Sequence, residues 1–176
     1  MSDQLDDFAK LIASLDPPMA VVTTASDRER AGCLIGFHAQ SSIDPERYVV
    51  WLSKANHTFR VGVHARHFGV HFLAEEDLEL ARLFGTESGD DVDKFAHCTW
   101  QPGHDGVPVL TDCPHRFTAT RVALLDEGGD HVCLVLQPVE IEAASPFQPL
   151  RLSSTTDLTP GHESEERPEP ASERAP

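Results

Sequence analysis

Short apolar runs, each followed by turn residues, constrain the fold of this chain more than any other feature of its sequence. Residues 19–25 (MAVVTTA), 47–53 (RYVVWLS) and 67–74 (HFGVHFLA) are rich in the β-branched and aromatic side chains typical of strands. Residues 115–125 and 131–142 are two further such runs, and the DEGGD between them favours a β-hairpin. Short strands joined mainly by tight turns predict a mainly β fold, an antiparallel barrel with inserted helices, rather than a βαβ sheet.

Helical periodicity is visible in three other segments. Residues 3–15 carry one apolar stripe that predicts an amphipathic helix, formed by Leu5, Phe8, Leu11, Ile12 and Leu15. FRVGVHA (59–65) predicts a short helix with a polar N-cap candidate in front of it. EEDLELARLFG (75–85) predicts another, because acidic residues occupy its first turn and apolar residues share one face.

The boundaries of the remaining segments follow from composition. AGCLIGFHA (31–39) is predicted to pair with the strand at 19–25, and residues 41–46 are predicted to form a loop. Residues 86–106 are polar with few apolar anchors, which predicts a long excursion outside the core. Residues 151–176 contain several prolines and few apolar residues, so we expect a disordered tail after one folded domain at residues 1–150.

The charge balance excludes some partners. A formal net charge of −15 argues against nucleic acid and against anionic membrane surfaces, both of which require a basic protein surface. No apolar run approaches the roughly 20 residues that span a bilayer, and the acidic start MSDQLDD is unlike a signal peptide. A cytoplasmic protein is therefore expected.

The cysteines and histidines do not form a recognisable metal motif. The four cysteines include no CxxC pair, and reduced thiols are expected in the cytosol. Zinc binding through Cys113 and His115, or through His64, His67 and His71, lacks matched ligand pairs. We therefore predict no metal site.

Polar residues gather where the strand at 47–53 ends and the next helix begins: Ser53, Lys54, Asn56 and Thr58. Hydroxyls, an ammonium and helix N-terminal amides are suited to binding a phosphate. The same residues also fit a capped helix beside a surface lysine, and the local pattern does not separate the two interpretations.

Two other positions allow a ligand. Gly36 interrupts a strand beside Phe37 and His38, which indicates either a bulge or close approach of a ligand to the backbone. His131 lies at the end of the DEGGD hairpin, where it either projects over a cavity mouth or is solvated. No Ser-His-Asp or Cys-His signature is present, so a bound cofactor would have to supply any chemistry.

The order of these motifs resembles the flavin reductase-like family, whose fold is an FMN-binding split barrel. The matching segments span residues 16–143: AVVTTA, AGCLIGFHAQSSIDP, YVVWLSKANHTF, FGVHFLAEEDLELARLFG, GVPVL and EGGDHVCLVLQPVEIE. Each motif is loose alone, and their order and spacing carry the resemblance.

The resemblance implies a homodimer with FMN at the subunit interface and NAD(P)H as the hydride donor. Contacts to the flavin ring are then expected from Leu34, Ile35, Gly36, Phe37, His38, Ala39 and Gln40. Ribityl and phosphate contacts are expected from Ser41, Ser42, Ser53, Lys54, Asn56 and Thr58. His131, the histidine of the GDH stretch, is the candidate catalytic residue near flavin and nicotinamide.

The chain departs from the family pattern at several positions of the expected site. Leu34-Ile35-Gly36-Phe37 replaces a common Thr-x-Ser-Ser, so backbone amides would have to substitute for hydroxyls at the ring edge. His71 replaces an asparagine and is a further candidate for cofactor contact. Asp44-Pro45-Glu46 stands where Asp-Pro-Pro is usual.

Three functions are compatible with these residues. The first is an NAD(P)H-dependent FMN reductase whose reduced flavin passes to a partner such as a monooxygenase. The second is a flavin- or deazaflavin-dependent reductase of an organic substrate. The third is a flavin-binding carrier or dimeric interaction protein without catalytic activity.

Overall fold

The computed structural model describes residues 2–27, 29–143 and 145–161, with side chains from residue 6 onward. The helices are α1 (Ser2–Ser14), α2 (His57–Gly62) and α3 (Leu78–Thr86). The strands are β1 (Ala20–Ser26), β2 (Glu29–Ile35), β3 (His38–Ile43), β4 (Glu46–Ser53), β5 (His67–Phe72), β6 (Trp100–Pro102), β7 (Pro108–Leu110), β8 (Arg116–Leu125) and β9 (His131–Glu142).

Seven of these strands form one sheet in the order β2-β1-β5-β8-β9-β4-β3, and every neighbouring pair is antiparallel. The sheet curls so that its two ends, β2 and the β3–β4 hairpin, approach each other, with α2 packed near β2, β1 and β4. The prediction of an antiparallel split barrel with inserted helices is confirmed. β6 and β7 form a separate two-stranded sheet.

The barrel interior is filled by alternate residues of these strands. Val50 and Leu52 of β4 point inward and meet Leu134 and Leu136 of β9, all nearly or fully inaccessible to solvent. Phe68 of β5 is fully buried in the same core. Because side chains alternate along a strand, the neighbours of these residues on β4 and β9 face the outside of the barrel.

A second apolar cluster lies outside the barrel, and the prediction for residues 86–106 is wrong because this segment contributes to it. Residues 86–106 were expected to contribute little to a core, yet Phe95 is buried against Phe84 and Trp100. Lys94 is buried too, and its ammonium donates to the carbonyl oxygens of Gly32 (3.1 Å) and Phe84 (3.2 Å). The segment is therefore anchored to β2 and α3.

The tail was predicted to begin at residue 151, but residues 151–161 pack onto the folded domain. Leu152 and Leu158 contact the second apolar cluster, and Thr155 is buried. Ser153 donates from its backbone N–H (2.7 Å) and its hydroxyl (2.8 Å) to the Asp16 carboxylate. The few apolar residues of this stretch pack against residues that are distant in the sequence. The rest of the predicted tail, 162–176, lies outside the described residues.

Residues 41–43 also differ from the prediction, because they belong to β3 rather than to a loop. β3 pairs with β4 from His38 opposite Val50 to Ile43 opposite Glu46, with a bulge between Gln40 and Ser42. Only Asp44 and Pro45 remain as the turn. β3 is difficult to recognise in the sequence because four of its six residues are exposed and its apolar and polar positions do not alternate.

The amphipathic helix predicted at the N-terminus is present as α1. Its apolar residues Phe8 and Leu11, and Leu15 just after its end, are nevertheless exposed in the single chain. Leu5 of the predicted stripe has no described side chain.

His71 of β5 is fully buried and connects β5 to β1 and β7 through hydrogen bonds. Its Nδ1–H donates to the Val21 carbonyl on β1 (3.2 Å), and its Nε2 accepts from the Leu110 N–H on β7 (3.0 Å). A Cβ at Gly69 would lie 2.7 Å from His71 Cε1, so glycine there makes room for the ring. Burial lowers the pKa of His71 to about 3, which keeps the imidazole neutral.

This burial predicts acid sensitivity below neutral pH. Between about pH 6.5 and 3 the unfolded chain protonates this histidine and the folded chain does not. The free energy of unfolding should therefore decrease as pH falls, by up to about 1.4 kcal/mol per pH unit from this residue. We expect His71→Asn to flatten the slope between pH 6.5 and 5 in urea titrations, whereas the exposed His97→Asn should retain it. Equal slopes for wild type and His71→Asn would contradict this role.

Truncation tests the corrected boundary of the domain. A chain ending at Leu150 loses the contacts of Leu152, Thr155 and Leu158 and should show a melting temperature lower by several degrees. A chain ending at Gly161 retains these contacts and serves as the control. Identical melting temperatures for the two truncations would show that residues 151–161 do not stabilise the fold.

Candidate flavin site

Three segments meet where β4 ends. Ser53 of β4 is paired with His131 of β9, and the Trp51 N–H donates to the Phe37 carbonyl (3.0 Å). The Lys54 N–H donates to the Asp130 carbonyl (2.8 Å) in the β8–β9 turn. The pairing of β4 with β9 on one side and with the β3 segment on the other thus brings together residues up to 94 positions apart in sequence. We call this cluster of Phe37, Ser53, Lys54 and His131 the flavin face.

Two rings form the apolar part of the flavin face. Phe37 is 55% exposed, and its ring meets that of His131 edge to face with centroids 5.3 Å apart. The His131 Nδ1 lies 2.9 Å from an Asp130 carboxylate oxygen, which orients the imidazole. An exposed phenyl ring beside an oriented imidazole is a suitable platform for a flat heterocycle.

Lys54 provides a positive charge beside this platform. Its ammonium lies 2.8 Å from Asp126 Oδ1, and its side chain is 20% exposed. Asp126 also accepts from the Gly128 N–H (2.9 Å), so the carboxylate is fixed by the turn itself. Two hydrogen bonds lower the pKa of Asp126: the larger effect comes from the Lys54 ammonium and the smaller from the Gly128 N–H.

The next residues begin α2. Asn56 is the N-cap, and its Oδ1 accepts from the Thr58 N–H (2.9 Å), which confirms the predicted capping. The Thr58 side chain is buried beside the Cys33 thiol, whose pKa is raised by burial. The capped-helix interpretation therefore describes Asn56 and Thr58 in the single chain, and their side chains are already engaged or enclosed.

The segment expected to contact the flavin ring links β2 to β3. The side chains of Leu34 and Ile35 pack in the two apolar clusters, and their backbone pairs with Val21 and Ala20 of β1, so neither residue presents its side chain to a ligand. A Cβ at Gly36 would meet only the flexible end of the Met19 side chain, with Sδ at 3.4 Å and Cε at 3.7 Å, so packing within the chain does not require glycine there. Room beside the backbone at Gly36 is consistent with the ligand interpretation of this position.

His38 fixes the direction of this segment. Its Nε2–H donates to the Pro18 carbonyl (2.9 Å), and its Nδ1 therefore accepts from the Tyr48 hydroxyl (2.7 Å). Burial lowers the pKa of His38 and raises that of Tyr48 to about 12, so both groups remain neutral at physiological pH. His38 is held by the protein, whereas Ala39, Gln40 and Ser41 are exposed.

Two predicted groups lie away from the flavin face of the same chain. Ser42 pairs with Arg47 near the start of β4, whereas Ser53 ends that strand six residues later. At about 3.3 Å per residue this separation is roughly 20 Å, so Ser41 and Ser42 cannot share one phosphate with Ser53 in one chain. His71 is fully buried with both ring nitrogens bonded, so no surface of its side chain is available to a cofactor.

The outer surface next to the flavin face is apolar. Trp51, Cys133 and Leu125 form one row across β4, β9 and β8, and Val49, Val135 and Ala123 form the next. These residues alternate with the inward core residues Val50 and Leu134, so they face outward. Leu125 is 50% exposed. Sequence reasoning missed this surface, because both faces of these strands are apolar.

A polar cleft of about 310 Å³ lies beyond the N-terminus of α2, and none of the predicted site residues lines it. His57 forms one wall, with its Nδ1 2.9 Å from Asp90 and its Nε2 3.3 Å from Glu29. Arg60 also bonds to Asp90. Carboxylates are the most frequent charged groups of the lining, so the cleft does not resemble a phosphate site.

The flavin face fits FMN in its chemistry. The exposed Phe37 ring and the partly buried His131 ring suit an isoalloxazine, and Lys54, with the hydroxyl of Ser53, suits a phosphate. Within the described residues no group of three or more His, Cys, Asp or Glu side chains is arranged to hold a metal. In the same part of the chain, no helix is long and apolar enough to cross a membrane.

Comparison with known proteins identifies the family of the chain. Residues 12–154 match the family model described as "Flavin reductase like domain". The chain therefore belongs to the flavin reductase-like domain family, as the order of its motifs predicts.

Individual relatives have related descriptions. The reductase component of a flavin-dependent trigonelline monooxygenase from Acinetobacter baylyi is 30% identical over 66% of this chain and 37% of that protein. An NADH:riboflavin 5'-phosphate oxidoreductase from Streptomyces pristinaespiralis is 28% identical over 81% of this chain and 80% of that protein. An FMN-binding protein from Thermus thermophilus superposes with a TM-score of 0.66 at 25% identity, covering 72% and 70% of the two chains. The chain spans little more than a third of the length of the first curated relatives.

Proposed function

We propose that this protein is an NAD(P)H-dependent flavin reductase that passes hydride from a nicotinamide to FMN. The exposed Phe37 ring against His131, with Lys54 at the end of the paired strand, is the observation that carries the proposal. The similarity to an NADH:riboflavin 5'-phosphate oxidoreductase over four fifths of both chains supports it. When bound, FMN supplies the hydride-accepting chemistry, which side chains cannot provide.

The residues of the chain bind and orient. Phe37 and His131 provide the surface on which flavin and nicotinamide rings stack, and the strand pairing beneath them fixes the angle of that surface. The His131 Nδ1–H donates to the Asp130 carboxylate, which fixes the ring orientation and leaves Nε2 as the accepting nitrogen of the neutral imidazole. Lys54 and Ser53 hold the phosphate. The Thr58 hydroxyl is assigned no direct contact, because it is buried.

A homodimer would complete this site. In the outward rows that border the flavin face, Leu125 is exposed and Trp51 is partly exposed in the single chain, whereas Val49 and Cys133 are already buried. A second copy packed on this surface would exclude water from the flavin. It could also bring its own Ser41 and Ser42 toward the flavin, which these residues cannot reach from within the same chain. We infer that each flavin site is built by two subunits.

The acceptor of the electrons is proposed by analogy. The Acinetobacter baylyi relative is named as the reductase component of a monooxygenase. We propose that reduced FMN leaves this protein for a monooxygenase partner.

The experiment that tests the activity and the phosphate contact together is a steady-state NADH oxidation assay with FMN or riboflavin as acceptor. Lys54→Ala should raise the KM for FMN about tenfold and leave the KM for riboflavin unchanged, because only FMN carries a phosphate. Thr58→Val should behave as wild type with both flavins, because its hydroxyl does not reach the surface. Absence of flavin-dependent oxidation of both NADH and NADPH in wild type would refute the reductase activity. An equal loss with riboflavin in Lys54→Ala would refute the phosphate assignment.

Leu125→Glu tests the proposed dimer. A carboxylate in the apolar row should convert the dimer to a monomer in sedimentation velocity experiments and weaken FMN binding in parallel. Val139→Glu, which replaces a comparably exposed apolar residue at the far half of β9, is the control and should remain dimeric. A wild-type protein that sediments as a monomer at micromolar concentration would contradict the two-subunit site.

A further inference from the structure

The turn between β8 and β9 holds Lys54 at two points. Asp126 Oδ1 lies 2.8 Å from the lysine ammonium, and the carbonyl of Asp130 accepts from the lysine N–H at 2.8 Å. The Gly128 N–H donates to the same Oδ1 of Asp126 at 2.9 Å. Gly128 has φ +84°, a conformation that favours glycine, and this geometry lets the turn fold back on the carboxylate. The carboxylate is therefore positioned before any ligand arrives.

This arrangement reduces the charge available to an anionic ligand. A phosphate and the Asp126 carboxylate would compete for the same ammonium, and they would repel each other at hydrogen-bonding distance from it. The pKa of Asp126 is lowered by its hydrogen bonds to Lys54 and Gly128, so the carboxylate is ionised at neutral pH. The whole chain has a net charge of −15, so long-range attraction does not offset the local repulsion.

We propose that Asp126 is an affinity-setting residue: it competes with the flavin phosphate for Lys54 and keeps the binding of FMN weak. The inference rests on the proposed function and deepens it. A reductase that delivers reduced FMN to another protein must release the flavin, and a built-in competitor for the phosphate increases the dissociation rate without altering the ring platform. The substrate class is a flavin monophosphate that exchanges, rather than a permanently bound prosthetic group.

Asp126→Asn provides a direct test, because the amide retains an Oδ1 that can accept from the Gly128 N–H and removes only the charge. Dissociation constants for FMN and for riboflavin would be measured by flavin fluorescence with the full-length protein. Asp126→Asn should bind FMN roughly threefold to tenfold more tightly than wild type and release it more slowly, with riboflavin affinity unchanged. Glu127→Gln removes the neighbouring charge in the same turn and should leave both affinities unchanged.

A double-mutant cycle assigns the effect to Lys54. If Asp126 acts through the ammonium, Asp126→Asn should produce little or no gain in a Lys54→Met background. Asp126→Ser, whose hydroxyl can still accept from Gly128, is the second variant if Asp126→Asn lowers the melting temperature.

The outcomes separate this inference from the proposed function. If wild type binds neither flavin, the proposed function fails. If wild type binds FMN and Asp126→Asn binds it no more tightly, the competition is refuted while the function stands. Equal tightening of riboflavin, or of FMN in Glu127→Gln, would also overturn the inference, because it would show a general effect of charge or folding.

Discussion

The antiparallel pairing of β4 with β9 is the contact on which the fold and the site both depend. Tyr48 to Ser53 pair residue by residue with Leu136 to His131. One face of this pair supplies Val50, Leu52 and Leu134 to the barrel core. Because side chains alternate, the same register presents Trp51, Ser53 and His131 on the other face. A shift of one residue would exchange the two sets, burying the polar site residues and exposing the core.

Two neutral histidines connect further segments of the fold through hydrogen bonds. His38 joins the segment after β2 to Pro18 and Tyr48, and His71 joins β1, β5 and β7. In both rings one nitrogen donates to a carbonyl and the other accepts, an arrangement that only the neutral imidazole satisfies. His71, which stands where the family usually has an asparagine, thus has a structural explanation: its imidazole is long enough to reach both neighbouring strands.

The sequence was sufficient to predict the elements whose patterns are local. The β8–β9 hairpin, α3 and a polar N-cap in front of the short helix α2 were each predicted from a few adjacent residues, and the structure confirms them. β3 was missed because its exposed polar residues show no alternation; it forms because β4 offers an unpaired edge. The burial of Lys94 depends on carbonyls 10 and 62 residues away, which no local pattern encodes.

The candidate site likewise contains residues that the sequence predicts and residues that only the structure shows. Phe37, Ser53, Lys54 and His131 were all named from motif order, and the structure brings them together. Asp126 was missed, since its contact with Lys54 joins residues 72 positions apart and is determined by the β4–β9 register. His71 was placed at the cofactor from its sequence position, but strand alternation and the overlying β7 bury it. Motif order thus predicts which segments meet, and only packing determines which side chains remain accessible.

The central claim is that flavin binds on the outer face of the β4–β9 pair, and tryptophan fluorescence tests it most directly. The chain has two tryptophans: Trp51 on this face, and Trp100 in the second apolar cluster, where it stacks beneath Arg30. Trp100→Phe and Trp51→Phe each leave one reporter. Titration with FMN should quench the Trp51 emission of the first variant much more strongly than the Trp100 emission of the second. Stronger quenching of Trp100, with FMN bound, would place the flavin elsewhere and contradict the account.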